Sequence, residues 1–214
     1  TFFPDLDAIA ITAYRVVWSF IFIGIVITFT KQWAIIRDIF RNKQQLTVII
    51  ICGILIGLNW LAFIFAIVMK QPVEASMGAY LIPMFGLATA VFVFKEQVSF
   101  LKKAAIVITV CGVIYMIAVY GKIPWYALGI SLSFMLYGAV HKFVTVNVLD
   151  GFFIEMLVLI VPSVAYLILA PGVTPFFSEP LPMQGMIMLL GPLSSLSLIA
   201  FSYGIQRLAF STVS

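Results

Sequence analysis

Apolar runs of about 20 residues, the length that crosses a bilayer as a helix, recur along this whole chain, and the connections between them are too short to be domains. That pattern predicts an all-α, polytopic membrane protein. Composition agrees: the chain is 64% hydrophobic and only 9% charged, with a mean hydropathy of +1.19. A soluble domain carries roughly a quarter charged residues. A net charge of +4 would suggest nucleic acid in a soluble protein. Here the placement of the charges matters more than their sum, and no nucleic-acid partner is expected.

Seven spans are read in order: Ile9–Phe29, Leu46–Met69, Val73–Phe94, Ala104–Tyr120, Trp125–Val144, Phe152–Ala170 and Met186–Leu208. Residues 209–214 would open an eighth. Residues 31–45, with Trp33, Ile35, Ile36, Ile39 and Phe40 among basic residues, suit a short helix lying in the membrane interface. Cys52 and Cys111 fall inside apolar spans and are expected to be small packing residues. The chain starts with Thr1 and stops soon after a span, which suggests an excerpt of a longer protein.

Basic residues sort across the connections. Loops 31–45, 95–103 and 142–151, and the region after Arg207, hold the Lys/Arg-rich side, while the other side holds Lys70 and Lys122. The positive-inside rule makes the rich side cytoplasmic, in the cell (inner) membrane. The first span then runs inward. One segment also echoes another: LAFIFAI at 61–67 and IAFSYGI at 199–205 share Ala, Phe and Ile in place. With opposite assigned directions, they suggest inverted-topology repeats, the architecture of many secondary transporters.

Polar residues concentrate in the second and third spans. Asn59, Glu74, Ser76 and Tyr80 sit where hydrocarbon leaves them short of partners unless they pair, meet water or meet a ligand. The run N-W-x-x-F-I-x-A at Asn59–Ala66, then E-A-S-x-G at Glu74–Gly78 and Pro83, resembles the RarD-type permeases of the EamA branch of the drug/metabolite transporter superfamily. Arg15-Val-Val-Trp18-Ser19, Glu96, Ala127–Gly138, His141-Lys142, Gly151 and Glu155 extend the likeness over nearly the whole chain. The resemblance implies ten spans in two inverted halves of five. Residues 1–121 would be spans two to five, and 122–214 spans six to eight with the start of nine. The family pattern has a Glu ahead of the span-two Arg, a His directly before that Arg and an Asn before the span-four Pro; here these are Ala10, Tyr14 and Ile82. Substrate identity is therefore not carried over.

The expected function is a secondary permease moving a small organic metabolite or drug by alternating access. Asn59, Trp60, Tyr80, Tyr137 and Tyr203 would line a mid-membrane cavity, with Arg15 and Glu155 as gates at opposite mouths. Each has a plainer reading. Arg15 can snorkel, Asn59 can tie helices together, Glu74 can favour its own helix dipole, and His141 can be interfacial. Ser194, Ser195 and Ser197 after Gly191-Pro192 suit close packing with local back-bonding, and Gly53-x-x-x-Gly57 suits a packing face. The rival function is a non-transporting membrane subunit whose polar residues only join helices. No G-x-S-x-G, H-E-x-x-H or Cys/His metal spacing is visible in the sequence, so neither enzyme activity nor a cofactor or metal is expected. The expected partners are the lipid bilayer and a small-molecule substrate, with a homodimer left open.

Overall fold

The computed structural model describes residues 8–97, 99–171, 173, 176–178, 180–209 and 212, the side chains of 8, 102, 106, 116 and 120 apart. The expected eighth opening therefore lies largely outside the described residues. Among the described residues eight α-helices follow one another: α1 Ala8–Phe29, α2 Trp33–Arg41, α3 Lys43–Val68, α4 Pro72–Phe92, α5 Phe100–Tyr120, α6 Trp125–His141, α7 Val148–Leu169 and α8 Leu181–Arg207. Five of them (α1, α3, α4, α7 and α8) are long and apolar enough to cross a membrane. The α5 helix opens on two lysines, and α6 has only 17 residues. Isoleucines and leucines on the outer faces, such as Ile25, Leu58, Ile108, Leu136 and Leu196, are exposed. A helix apolar all round and open outward is made for lipid contact.

Local chemistry sets the helix ends. Asn42 Oδ1 accepts from Gln45 N at 3.2 Å and starts α3, while Asn147 Oδ1 accepts from Leu149 N at 3.3 Å and starts α7. This cap lets α7 begin before the predicted Phe152. At the other ends of α1 and α3, Lys31 and Lys70 take φ of 56°, a left-handed conformation that usually goes to glycine. Gln32 N bonds to Ile27 O and Gln71 N to Ala66 O, closing the last turn of each helix. The amphipathic α2 buries Ile36 and Ile39, and Trp33 packs edge-on to Phe153 at 5.5 Å.

The bundle interleaves its two sequence halves. The α1 helix packs on α7 and α8, α3 on α6 and α7, and α6 on α3 and α4, while α5 lies on α4. Glycine permits the closest approaches. A Cβ on Gly53 would stand 3.1 Å from Glu155 O, and one on Gly57 would strike Leu159 of α7. A Cβ on Gly191 would overlap the backbone of Trp18 and Ser19 on α1. The glycine pair of α3 is thus the packing face that its spacing suggested. Cys52 is buried in the core, whereas Cys111 is exposed on α5.

Candidate functional site

A cleft of about 390 Å³ opens between α1, α3, α6 and α8. Its walls are Asn59, Trp60 and Phe63 of α3; Leu193, Ser194, Ser197, Leu198 and Phe201 of α8; Arg15 of α1; and Phe134 of α6. Ser197, Leu198 and Phe201 stand relative to Ile199 as Asn59, Trp60 and Phe63 stand relative to Leu61. Phe63 and Phe201, matched within the echo, and the two residue pairs just ahead of it in the same register therefore line one cavity. Its size falls within the range of roughly 300–1,000 Å³ typical of small-molecule sites.

Arg15 is the charge in this cleft. Its Nε donates to Ser194 Oγ at 2.7 Å, and its guanidinium carbon lies 4.1 Å from the centre of the Trp60 ring. Ser194 in turn donates to Leu190 O at 2.6 Å, which fixes the acceptor. The side chain therefore turns inward and does not snorkel. A desolvated cation over an indole face gains about 2 kcal/mol, and a hydrogen bond from a charged donor about 1.5–3 kcal/mol. Among the described residues no carboxylate forms an ion pair with Arg15.

Asn59 ties two helices together and also lines the cleft. Its Nδ2 donates to Ile130 O at 2.7 Å and to Ser133 Oγ at 3.2 Å, joining α3 to α6. The serines after Pro192 bond back into their own helix: Ser195 to Gly191 O at 2.8 Å and Ser197 to Leu193 O at 3.0 Å. Their hydroxyls thus satisfy carbonyls near the proline and leave a narrow face on α8.

The three tyrosines do not share this cavity. Tyr80 is 79% exposed, because the buried stripe of α4 runs through Glu74, Ala75, Met77, Gly78 and Leu81 and leaves position 80 on the outer face. Tyr203 lies beneath Arg207, whose guanidinium carbon is 5.1 Å from the ring centre. Tyr137 is fully buried behind the cleft, its ring stacked 6.3 Å from Phe201. Tyr80→Ala is accordingly expected to leave solute flux within about twofold of the parent, because an outward-facing side chain has little differential contact with a bound solute. Uptake rates in vesicles of matched protein content check this.

Glu155 and His141 are both sealed from solvent: Glu155 is fully buried and His141, the last residue of α6, is 1% exposed. Their side chains meet between α6 and α7, with His141 Nε2 3.5 Å from Glu155 Oε1. Tyr137 donates to Glu155 Oε2 at 3.3 Å and shares a 3.1 Å hydrogen bond with Ser202 Oγ. The four-residue spacing of Tyr137 and His141, about one helical turn, puts both on the side of α6 that carries Gly138 and faces the core. Glu74, by contrast, reaches the start of a neighbouring helix: its Oε2 accepts from Tyr126 N at 3.1 Å and its Oε1 lies 3.4 Å from Lys122 Nζ. It stands in the first turn of α4 and caps α6 as well.

A bundle with five helices long and apolar enough to cross a bilayer, packed around an aromatic-walled cleft, is that of a multi-pass membrane protein. The chain belongs to the EamA-like transporter family, whose profile matches residues 2–118, and within it to the RarD-type permeases of the drug/metabolite transporter superfamily. Protein RarD of Escherichia coli is 28% identical over 95% of this chain and 69% of its own length. The uncharacterized transporter YojE of Bacillus subtilis is 32% identical over 95% of this chain and 70% of its own length. Protein RarD of Streptomyces exfoliatus is 26% identical over 96% of this chain and 66% of its own length. No solved structure matches the chain.

Proposed function

We propose that this chain is the working part of a secondary permease that carries a small organic anion across the cell (inner) membrane by alternating access. The observation that carries the reading is Arg15, held inward by Ser194 and Trp60 with no carboxylate partner among the described residues. A cation at membrane depth is costly unless it is paired, and here a substrate carboxylate or a similar group completes the pair. Phe63, Phe134 and Phe201 favour an apolar or aromatic body on that solute.

Three features support a 5+5 inverted repeat with halves at 1–121 and 122–214. Matched positions of α3 and α8 line opposite walls of the cleft. Gly191 stands as far before Ile199 as Gly53 stands before Leu61, and each glycine packs against the other half's helix, Gly53 on α7 and Gly191 on α1. The contacts α1·α8 and α3·α7 exchange under the same relation. In this reading α5 and α6 are spans too, and the Lys/Arg-rich connections are cytoplasmic. The test is uptake by vesicles carrying the protein, using a panel of labelled aromatic and aliphatic organic acids alongside neutral and cationic solutes. Saturable flux of one or more acids is expected. Flux of cations alone, or of nothing on the panel, would overturn the substrate class.

A further inference from the structure

Behind the aromatic wall of the cleft lies a buried polar cluster that solute binding does not use. Glu155 comes from α7, Tyr137 and His141 from α6, and Ser202 from α8, and all four side chains are at most 1% exposed. Glu155 Oε1 and both imidazole nitrogens of His141 have no hydrogen-bond partner among the described residues, although Nε2 and Oε1 stand only 3.5 Å apart. The α3 side of the cluster carries the buried Cys52 and the backbone contact of Gly53, and brings no charge. Asp150, the other buried acid of α7, lies in that helix's first turn, where the dipole favours a negative charge. Lys142 directs its ammonium elsewhere, to Ile205 O at 3.1 Å and Leu208 O at 2.7 Å.

The charge count of this pair has only one form suited to burial. With one proton, the pair is either a carboxylate facing an imidazolium or a carboxylic acid facing a neutral imidazole, and its net charge is zero. Without that proton it is a carboxylate facing a neutral imidazole, a net buried negative charge. An unpaired buried charge costs several kcal/mol, so that form draws water in. The cover over the cluster is a short connection held by few bonds. Gln206 Nε2 donates to Val144 O at 3.4 Å and Val146 O at 3.2 Å, and Thr145 N donates to Gln45 Oε1 at 3.2 Å. With the Lys142 contacts, these straps close residues 142–147 over the end of the bundle where α6 finishes and α7 begins.

We propose that Glu155 and His141 form a one-proton binding site whose occupancy decides whether this end of the bundle is closed. The proton enters from water at that end and bridges carboxylate and imidazole. Its release returns it to water and leaves a net charge that favours the opened strap. Tyr137 links the site to the cleft, since its hydroxyl bonds Glu155 while its ring packs on Phe134 at 6.1 Å and Phe201 at 6.3 Å. The proposal deepens the transporter reading, naming its coupling ion as the proton.

Cys52 supplies a readout that needs no solute. In a Cys111→Ser background, labelling of Cys52 by N-ethylmaleimide is followed against pH, each rate divided by that of the unfolded protein at the same pH. The expected result is a rise of at least about tenfold between roughly pH 6 and pH 9, the factor that about 1.4 kcal/mol of easier opening gives. Glu155→Gln, near-isosteric and neutral at every pH, should stay closed and flat within about twofold. Tyr137→Phe keeps the packing and removes one donor, and should move the midpoint by about one pH unit. Protection that does not change with pH in the parent, or a Glu155→Gln rise matching the parent's, overturns the proposal. If Glu155→Gln does not fold, an unmoved midpoint in Tyr137→Phe does the same. Solute flux is measured separately, so either reading can fail without the other.

Discussion

Gly191→Leu is expected to leave no folded protein in detergent extracts. A Cβ at this position already overlaps the backbone of Trp18 and Ser19, and backbone cannot move aside as the end of a side chain can. Ser19 Oγ also donates to Gly191 O at 3.2 Å, so the two helices are hydrogen-bonded where they touch. Overpacking a core costs about 1–3 kcal/mol when neighbours can adjust, and a leucine here must push α1 and α8 apart along their length. That separation also breaks the Arg15–Ser194 bond and opens the cleft. Because the backbone of α1 cannot give way, the cost rises above that figure, and against a total stability of about 5–15 kcal/mol it takes most of the margin. Gly185→Leu, on the same helix with nothing within 4 Å of the added carbon, should behave like the parent. Monodispersity on size exclusion separates the two outcomes, and Gly191→Ala should fall between them.

The second large effect is expected at Arg15. Arg15→Met keeps the length and apolar stem but removes the charge, the Ser194 bond and the stacking on Trp60. A charge-assisted pair with a bound carboxylate contributes roughly 2–3 kcal/mol in a partly desolvated site. Transport of an organic acid should therefore fall by about 30-fold or more. Arg15→Lys should recover only part of that, because an ammonium cannot lie flat on the indole while also offering a fork to the anion. Relief of the burial cost of the cation offsets the lost Ser194 bond and indole contact, so the thermal stability of the unliganded protein should change little.

Much of this architecture is legible in the chain. Helix positions follow from the length of the apolar runs, and most ends fall within a few residues of the polar punctuation, because Asn42, Pro72 and Asn147 are local signals. Asn59 and Trp60 were expected to line a cavity and Arg15 to stand apart as a gate at its mouth; the structure places all three around one cleft. What the chain hides is rotation. In a soluble helix the polar face tells which way each residue points; a membrane helix is apolar on every side. For that reason Tyr80, Tyr137 and Tyr203 looked alike in the sequence yet take an outer face, a sealed interior and a helix end. The His141–Glu155 pair stayed hidden because its partners come from successive helices, although the one-turn spacing of Tyr137 and His141 marks a shared face. The cleft serines were readable only as back-bonding residues. Their second role depends on Arg15 arriving from a helix at the other end of the sequence.

The measurement closest to the central claim compares an aromatic carboxylate, benzoate for instance, with its neutral amide as competitors of uptake, in the parent and in Arg15→Met. If Arg15 holds the solute's negative group, the parent should prefer the carboxylate by at least about tenfold, or about 1.4 kcal/mol, and Arg15→Met should erase that preference while folding normally. An equal preference in both proteins, or a parent that favours the amide, would contradict the account.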